Sequence, residues 1–317
     1  MYDLIIIGSG PAGLSAAVYA KRAGLNMLVI EKNPVSGGQI IDTYEVDNYL
    51  GIPGVNGFDL AMKFREHADK LGAEFVSATV TSVELRSEGS DTKAPVYTVK
   101  TDNGEFDTHT IILATGAHHS KLDIPGEEEF IGKGVSYCAT CDAAFYEDFE
   151  VFVVGGGDSA VEEALYLTKF ARKVTMIVRR DVFRAAKSIQ DKAFANPKLD
   201  IWWNTSIVNI EGDGLVNKMT LIDNKTKETR EYYADEEDGI FGIFVFIGFV
   251  PATKVLEGKV AMDERGYIIT DENMHTNIPG VFAAGDCRVK SLRQVVTAAA
   301  DGAIAAVQAG NYVDDLA

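Results

Sequence analysis

Cysteine is scarce in this chain, at 3 of 317 residues, and so are tryptophan, at 2, and proline, at 8. So few cysteines exclude a small secreted fold stapled by disulfides and point to a reducing compartment, the cytoplasm. Positive charge is also short: 30 lysines and arginines stand against 47 aspartates and glutamates, for a formal net charge of −17. That balance argues against a nucleic-acid or anionic-membrane surface. No apolar run is long enough to span a bilayer. The start, Met1-Tyr2-Asp3-Leu4, has no basic segment of an export signal and runs straight into a glycine loop. What remains is an acidic globular protein whose length suggests about two domains.

Strand, glycine turn and helix follow one another at the start. Asp3 to Ile7 is an apolar run, Gly8-Ser9-Gly10-Pro11-Ala12-Gly13 reads as the turn, and Leu14 to Ala23 has helical composition. In a GxGxxG turn the first glycine permits the bend, the second lets backbone approach a pyrophosphate, and the third lets helix pack on strand. The helix amino terminus then attracts phosphate. A second strand, Asn26 to Ile30, ends at Glu31, an acid placed to accept hydrogen bonds from a ribose hydroxyl pair.

The pattern returns far down the chain. Phe149 to Val154 feeds Gly155-Gly156-Gly157-Asp158-Ser159-Ala160, a helix is expected through about Ala171, and Lys173 to Val178 supplies the next strand. With Gly10 aligned on Gly157, Val178 falls where Glu31 stood, and Arg179, Arg180 and Arg184 follow. Guanidinium groups at this strand end suit a 2′-phosphate and select NADP over NAD.

Between the two loops lies Cys138-Ala139-Thr140-Cys141-Asp142. Two cysteines two residues apart can close a small disulfide, and an acid beside the second can move a proton on reduction. The alternative is a zinc half-site. Cys287 and the five histidines (His67, His109, His118, His119, His275) offer no Cys/His pair at ligand spacing, so no metal is expected and redox chemistry is favoured.

These pieces, together with Ser36-Gly37-Gly38-Gln39, Asp47-Asn48-Tyr49, Ala114-Thr115-Gly116-Ala117, Ile247-Gly248, Ala284-Gly285-Asp286 and Arg293-Gln294-Val295, occur in one order along essentially the whole chain. In that order they resemble the low-molecular-weight, bacterial-type thioredoxin reductases of the FAD/NAD(P)-linked disulfide oxidoreductase family. The resemblance implies an α/β fold of two Rossmann-like three-layer domains. A NADPH domain, 118–247, carries the CxxC and is inserted into a discontinuous FAD domain, 1–117 and 248–317. It also implies a homodimer and, as partner, thioredoxin or a thioredoxin-like protein.

Carried over by position, Gly8, Gly10, Pro11, Ala12, Gly13 and Glu31 would bind FAD, with Gly37, Gly38, Gln39 and Asn48 around the flavin ring. Gly116 and Ala117 would lie near its adenosine half, Asp286 at the ribityl chain, and Arg293, Gln294 and Val295 at the pyrimidine edge, with Thr115 and Gly285 also binding FAD. Gly155, Gly157, Asp158, Ser159, Ala160, Arg179, Arg180, Arg184, Ile247 and Gly248 would bind NADPH. Cys141 would face the flavin, Cys138 would attack the partner's disulfide, and Asp142 would manage the proton. Disulfide and nicotinamide would take turns at the flavin through a rotation hinged near Gly116 to Leu122 and near Phe244 to Phe249.

The chain departs from the usual pattern of the family it resembles in two places. Val178 stands where relatives commonly carry a histidine before the arginine pair, and Glu147-Asp148 stands where many carry a basic residue that helps dock thioredoxin. Two alternatives on the same scaffold are a ferredoxin-linked thioredoxin reductase and a small-molecule dithiol oxidase. The first typically lacks the nicotinamide loop and arginines that this chain keeps. Cys287 is expected as a buried packing thiol, His118 and His119 as hinge-region surface residues, Asp235 to Asp238 as a solvated turn, and Asn311 to Ala317 as a frayed tail.

Overall fold

The computed structural model describes residues 1–43, 46, 48–86 and 95–316, with the side chains of Asp42, Leu85, Arg86, Thr140 and Cys141 outside that description. Asp47 of the Asp47-Asn48-Tyr49 motif and the terminal Ala317 also lie outside the described residues. The chain divides into two compact units, Met1–His118 with Val250–Ala317, and His119–Phe249.

The first unit opens with β1 (Tyr2–Ile7), α1 (Pro11–Arg22) and β2 (Met27–Glu31), followed by α2 (Gly57–Lys70) and β3 (Glu74–Ser77). A meander of β4 (Val80–Arg86), β5 (Val96–Thr101) and β6 (Gly104–Leu113) leads to the short β7 (Ala117–His119). β1 lies between β2 and β6, parallel to both, with Ile7 beside Ile30 and Leu113. Leu4 to Ile7, Leu28 to Ile30 and Ile111 to Leu113 are all buried. Such unbroken apolar strands form where a parallel sheet is covered on both faces.

The second unit repeats the design. Its elements are β8 (Val135–Ser136), α3 (Ala139–Asp142), β9 (Glu150–Val154), α4 (Asp158–Leu167), β10 (Lys173–Val178), α5 (Lys187–Ala195) and β11 (Leu199–Trp203). Then come β12 (Thr205–Asp213), β13 (Leu215–Asp223), β14 (Thr229–Tyr233) and β15 (Gly242–Val245), and β16 (Phe249–Pro251) follows where the chain passes back to the first unit. Among the described residues, five strands form a parallel sheet in the order β11, β10, β9, β15, β8. α4 and α5 cover one face through Ala160, Ala164, Leu167 and Ala193. An antiparallel sheet of β12, β13 and β14 covers the other through Ile207, Ile210, Met219 and Leu221.

α4 stops at Leu167 and not near Ala171. Lys169 to Ala171 turn back on the Tyr166 and Leu167 carbonyls, which brings the Arg172 N–H to the Phe149 carbonyl at 2.9 Å and aims β10 along β9. The Asp235 to Asp238 turn is solvated at Asp235, Glu236 and Glu237. Asp238 differs: its side chain is 11% exposed and pairs with Arg172.

The chain returns through β17 (Val281–Ala283) and α6 (Val295–Asp314). β17 runs parallel to β6 and completes a seven-stranded sheet among the described residues, in the order β3, β2, β1, β6, β5, β4, with β17 on β6. α6 packs along α1 on small residues, among them Ala12, Ala16, Ala305 and Ala306. It stays helical through Asn311 to Asp314, where fraying was expected, because Tyr312 and Val313 pack on this core. Among the described residues no helix is long and apolar enough to cross a membrane.

Candidate nucleotide and disulfide sites

In open parallel sheets, ligands bind beyond the C-terminal strand ends at the switch in strand order. In the first unit that place lies between β1 and β6. Gly8 turns there at φ +104°, and a Cβ on it would meet the Ala114 carbonyl oxygen at 2.5 Å. Gly10 caps α1 with Pro11 in its first turn, Ala12 is buried, and a Cβ on Gly13 would sit 1.9 Å from the Gly8 carbonyl oxygen. The Gly37 N–H donates to the Ser9 carbonyl at 2.8 Å, and Gly38 comes so near Gly10 that a Cβ on Gly38 would lie 3.3 Å from the Gly10 Cα. Two glycine backbones therefore line the α1 amino terminus, leaving main-chain N–H groups for a phosphate.

Glu31, at the end of β2, is anchored by the Ser9 N–H and hydroxyl, both 2.8 Å from Oε2, and by the Asn33 N–H, 2.9 Å from Oε1. The carboxylate is thus fixed beside the glycine turn with acceptor capacity remaining. Gln39 donates its amide to the Ala117 carbonyl, and Asn48 donates to Gln294 Oε1 at 2.9 Å. The Thr115 hydroxyl donates to the Ala252 carbonyl at 2.6 Å, and the Gly116 carbonyl accepts from the Ala252 N–H at 3.0 Å. Gln294 caps α6 through Thr297, and Val295 packs on Ile40, Val46 and Leu60.

Asp286 follows Gly285 just past β17, and its Oδ1 is buried with no hydrogen-bond partner among the described residues. Burial pushes its carboxyl above the usual carboxylate range, Lys290 and Arg293 pull it down, and Asp301 pushes it up. Arg293 stacks its guanidinium over Tyr267, 4.2 Å from the ring centroid, and its buried Nε likewise has no hydrogen-bond partner among the described residues. Orphaned buried polar atoms of this kind are rare in a complete structure. An acceptor and a donor left open beside a phosphate-ready helix fit the polyol and ring edge of a flavin dinucleotide.

Sequence reasoning missed Asp301. It lies in α6 with an 8% exposed side chain that accepts from the Gly285 N–H (3.0 Å), Arg288 (3.0 Å) and Lys290 (2.7 Å). The available signal was an acid on the buried stripe of an alanine-rich helix, in step with Ala298 and Ala305.

In the second unit the switch lies between β9 and β15. Gly155, at φ +148°, crosses the end of β15 so closely that a Cβ would meet the Phe246 carbonyl oxygen at 2.3 Å and the Ala160 methyl at 2.7 Å. Ile247 and Gly248 continue that same strand end. Gly157 caps α4 and has nothing within 4 Å of its Cβ position, so the helix amino terminus stands open. Asp158 accepts from the Ala186 N–H at 2.7 Å, and the Arg184 N–H donates to the Gly156 carbonyl at 2.7 Å, folding the arginine segment back on the loop. Ser159 is exposed in the first turn of α4. Val178 is buried, whereas the Arg179, Arg180 and Arg184 side chains are exposed and make no ion pair among the described residues. Three uncommitted cations beside an open helix amino terminus fit an anion-bearing nucleotide.

The cysteine segment leaves the same end of the same sheet. β8 runs parallel to β15, Ser136 beside Phe244, and Cys138 follows two residues later. The Ser136 hydroxyl is bracketed by Cys138, accepting from its N–H at 3.0 Å and donating to its carbonyl at 3.2 Å. Cys138 is disulfide-bonded. The Asp142 N–H donates to the Cys138 carbonyl at 3.3 Å, and the short α3 lies against α4. Burial, aided by the Asp142 charge, pushes the Tyr146 hydroxyl up to about 12. Cys287 is free and fully buried, its thiol pushed up to about 11 chiefly by burial. Among the described residues no group of three or more His, Cys, Asp or Glu side chains is placed to hold a metal ion. His118 is exposed, but His119 is not a free surface residue: its ring lies 4.7 Å from Phe249 and 5.7 Å from Tyr137.

Known proteins share this arrangement. The family model for pyridine nucleotide-disulphide oxidoreductases matches residues 2–302. A thioredoxin reductase of Peptoclostridium acidaminophilum is 58% identical over 315 residues, covering 99% of this chain and 98% of the relative. One of Bacillus subtilis is 46% identical over 317 residues, covering 100% and 96%. The crystal structure of Lactococcus lactis thioredoxin reductase superposes with a TM-score of 0.81 at 44% identity, covering 99% of this chain and 100% of that one. The chain therefore belongs to the pyridine nucleotide-disulphide oxidoreductase family, among its low-molecular-weight thioredoxin reductases.

Proposed function

We propose that this protein is an NADPH-dependent thioredoxin-disulfide reductase, carrying electrons from NADPH through FAD and a Cys138–Cys141 disulfide to thioredoxin or a thioredoxin-like protein. One observation carries the reading. The cysteine segment and a glycine loop with three uncommitted arginines leave the same end of one parallel sheet, in a chain whose other unit repeats the nucleotide-binding design. Cys138 is disulfide-bonded, Cys287 is free, and Cys141 is the remaining cysteine, so the reading pairs Cys138 with Cys141. The acceptor is supported by relatives that are themselves thioredoxin reductases.

FAD, when bound, supplies the two-electron chemistry that links a reduced nicotinamide to a disulfide. In the first unit, the α1 amino terminus with Gly8, Gly10, Pro11, Ala12 and Gly13 holds its pyrophosphate, and Glu31 orients its ribose. Thr115, Gly116 and Ala117 border its adenosine half. Asp286, beside Gly285, accepts from the ribityl chain, while Gly37, Gly38, Gln39, Asn48, Arg293, Gln294 and Val295 hold the ring. In the second unit Gly155, Gly157, Asp158, Ser159 and Ala160 cradle the NADPH pyrophosphate beside Ile247 and Gly248. Arg179, Arg180 and Arg184 take its 2′-phosphate.

Once the pair is reduced, the Cys138 thiolate attacks one sulfur of the partner's disulfide, forming a mixed disulfide as the partner's S–S bond breaks. Cys141 then attacks the Cys138 sulfur, closing the internal disulfide and releasing the partner's second thiolate. Asp142 holds the proton exchanged at this pair. The enzyme works as a homodimer in the cytoplasm, where a reducing milieu keeps a CxxC catalytic.

Steady-state reduction of thioredoxin by NADPH, followed at the nicotinamide absorbance, tests the reading. Cys138→Ser and Cys141→Ser are each expected to fall to background while the flavin still bleaches with NADPH. Full turnover by either variant would refute the assigned electron path.

A further inference from the structure

Five charged side chains crowd the turn after β17: Asp286, Arg288, Lys290, Arg293 and Asp301. They are not paired evenly. Asp301 takes both Arg288, at 3.0 Å and 3.3 Å, and Lys290, at 2.7 Å, and also receives the Gly285 N–H at 3.0 Å. Asp286, the neighbour of that glycine, pairs with none of these cations, and its Oδ1 has no hydrogen-bond partner among the described residues. Arg288 is further tied by its guanidinium to the Thr270 hydroxyl at 3.0 Å and the Val289 carbonyl at 3.1 Å.

Lys290 and Asp301 are 7% and 8% exposed at their side chains, so neither charge is dissolved in water. A buried cation keeps a carboxylate partner wherever one is in reach, because an unpaired buried charge is costly. Lys290 has two carboxylates to choose from, since its charge acts on Asp286 as well as on Asp301.

We propose that Asp301 is a positioning residue for the flavin site: by holding Lys290 and Arg288 on the α6 side it keeps the Asp286 carboxylate unpaired and available to a ligand hydroxyl. This rests on the reading above that Asp286 meets the ribityl chain of FAD. The same carboxylate fixes the backbone of the turn through Gly285, but that contact survives in an asparagine, whose carbonyl also accepts. What an asparagine loses is charge. Lys290 would then move to Asp286 and compete with the flavin for the oxygen that the structure leaves open.

The test is the FAD dissociation constant of the purified holoenzyme, read on dilution from the recovery of free-flavin fluorescence, in wild type, Asp286→Asn, Asp301→Asn, Lys290→Met and the Asp301→Asn/Lys290→Met double variant. Asp301→Asn is expected to weaken FAD binding about tenfold or more, in keeping with the loss of a charge-assisted contact at the ligand. The double variant removes the buried lysine that Asp301 no longer holds, while Arg288 stays tied to Thr270 and the Val289 carbonyl, so it should return to within about threefold of Lys290→Met. A merely structural role for Asp301 predicts the opposite, with the double variant as weak as the single one or weaker. That result, or wild-type affinity in Asp301→Asn, overturns the proposal. If Asp301→Asn does not fold, a folded and flavin-loaded double variant supports it, and an unfolded or flavin-free one overturns it. Wild-type affinity in Asp286→Asn would instead sink the reading of the flavin site itself.

Discussion

At the scale of single residues, the proposed preference for NADPH rests on three arginines and part of the pH response on one glutamate. Arg179, Arg180 and Arg184 are exposed and make no ion pair among the described residues, although charged neighbours such as Asp181 and Lys225 pair at 3.1 Å. If they await a 2′-phosphate, Arg180→Ala removes a charge-assisted bond worth about 1.5–3 kcal/mol. The KM for NADPH should rise about ten- to a hundredfold, with kcat and the response to NADH little changed. Equal losses with both nucleotides would show that the arginines do not read the phosphate. Glu163, in α4, is pushed up to about 7 by burial and then by Glu162, from an ordinary value of 4.5. The folded protein keeps a proton that the unfolded chain has lost, so the stability tied to Glu163 is complete below pH 4.5 and is lost as pH rises through 7. The gap corresponds to at most about 3 kcal/mol. Glu163→Gln should flatten the fall in Tm between pH 5 and pH 8, and a melting profile parallel to wild type would contradict the assignment.

At the scale of elements, the contact between α1 and α6 is governed by missing side chains. A Cβ on Gly302 would lie 2.0 Å from the Ala12 carbonyl oxygen, whereas one on Gly310 would have its nearest neighbour, Leu25 Cδ1, at 4.0 Å. Gly302→Ala must push the helices apart and should cost about 1–3 kcal/mol. Gly310→Ala, in the same helix, should gain about 0.5–1 kcal/mol. Thermal melts of the two variants ought to shift in opposite directions, and equal shifts would contradict the packing. The two βαβ starts were legible in sequence because buried parallel strands read as unbroken apolar runs bounded by glycine. The end of α4 was not, since Lys169 to Ala171 continue a helical composition and the partners of the turn that follows, the Asp148 N–H on the Phe170 carbonyl, the Arg172 N–H on the Phe149 carbonyl and Lys198 on the Ala171 carbonyl, come from other segments. The β12 to β14 sheet also escaped sequence reading. Polar residues such as Asn209, Glu211 and Lys218 break its alternation, and its apolar face is defined only by the strands beneath. Asp301 was hidden for a similar reason: its cations lie eleven and thirteen residues away in sequence and meet it only when α6 packs on the turn.

Across the whole molecule, one design is used twice and the disulfide is added to the second copy. In both units a glycine turn crosses the end of the neighbouring strand, at Ala114 in one and Phe246 in the other, and opens the amino terminus of the following helix. This duplication was visible from the two glycine motifs alone, as was the cysteine pair between them. The roles of the flavin-ring and pyrimidine-edge residues were legible only through resemblance, because Gln39, Asn48 and Arg293 come from separate segments that the fold brings into one unit. In the proposed electron path, electrons enter from NADPH at the second loop and reach a flavin in the first unit. That path is tested most directly by adding NADPH, and separately NADH, to the purified holoenzyme without oxygen and following the flavin absorbance band. Rapid bleaching by NADPH and slow or no bleaching by NADH are expected. A flavin that dithionite reduces but neither nicotinamide bleaches would contradict the path.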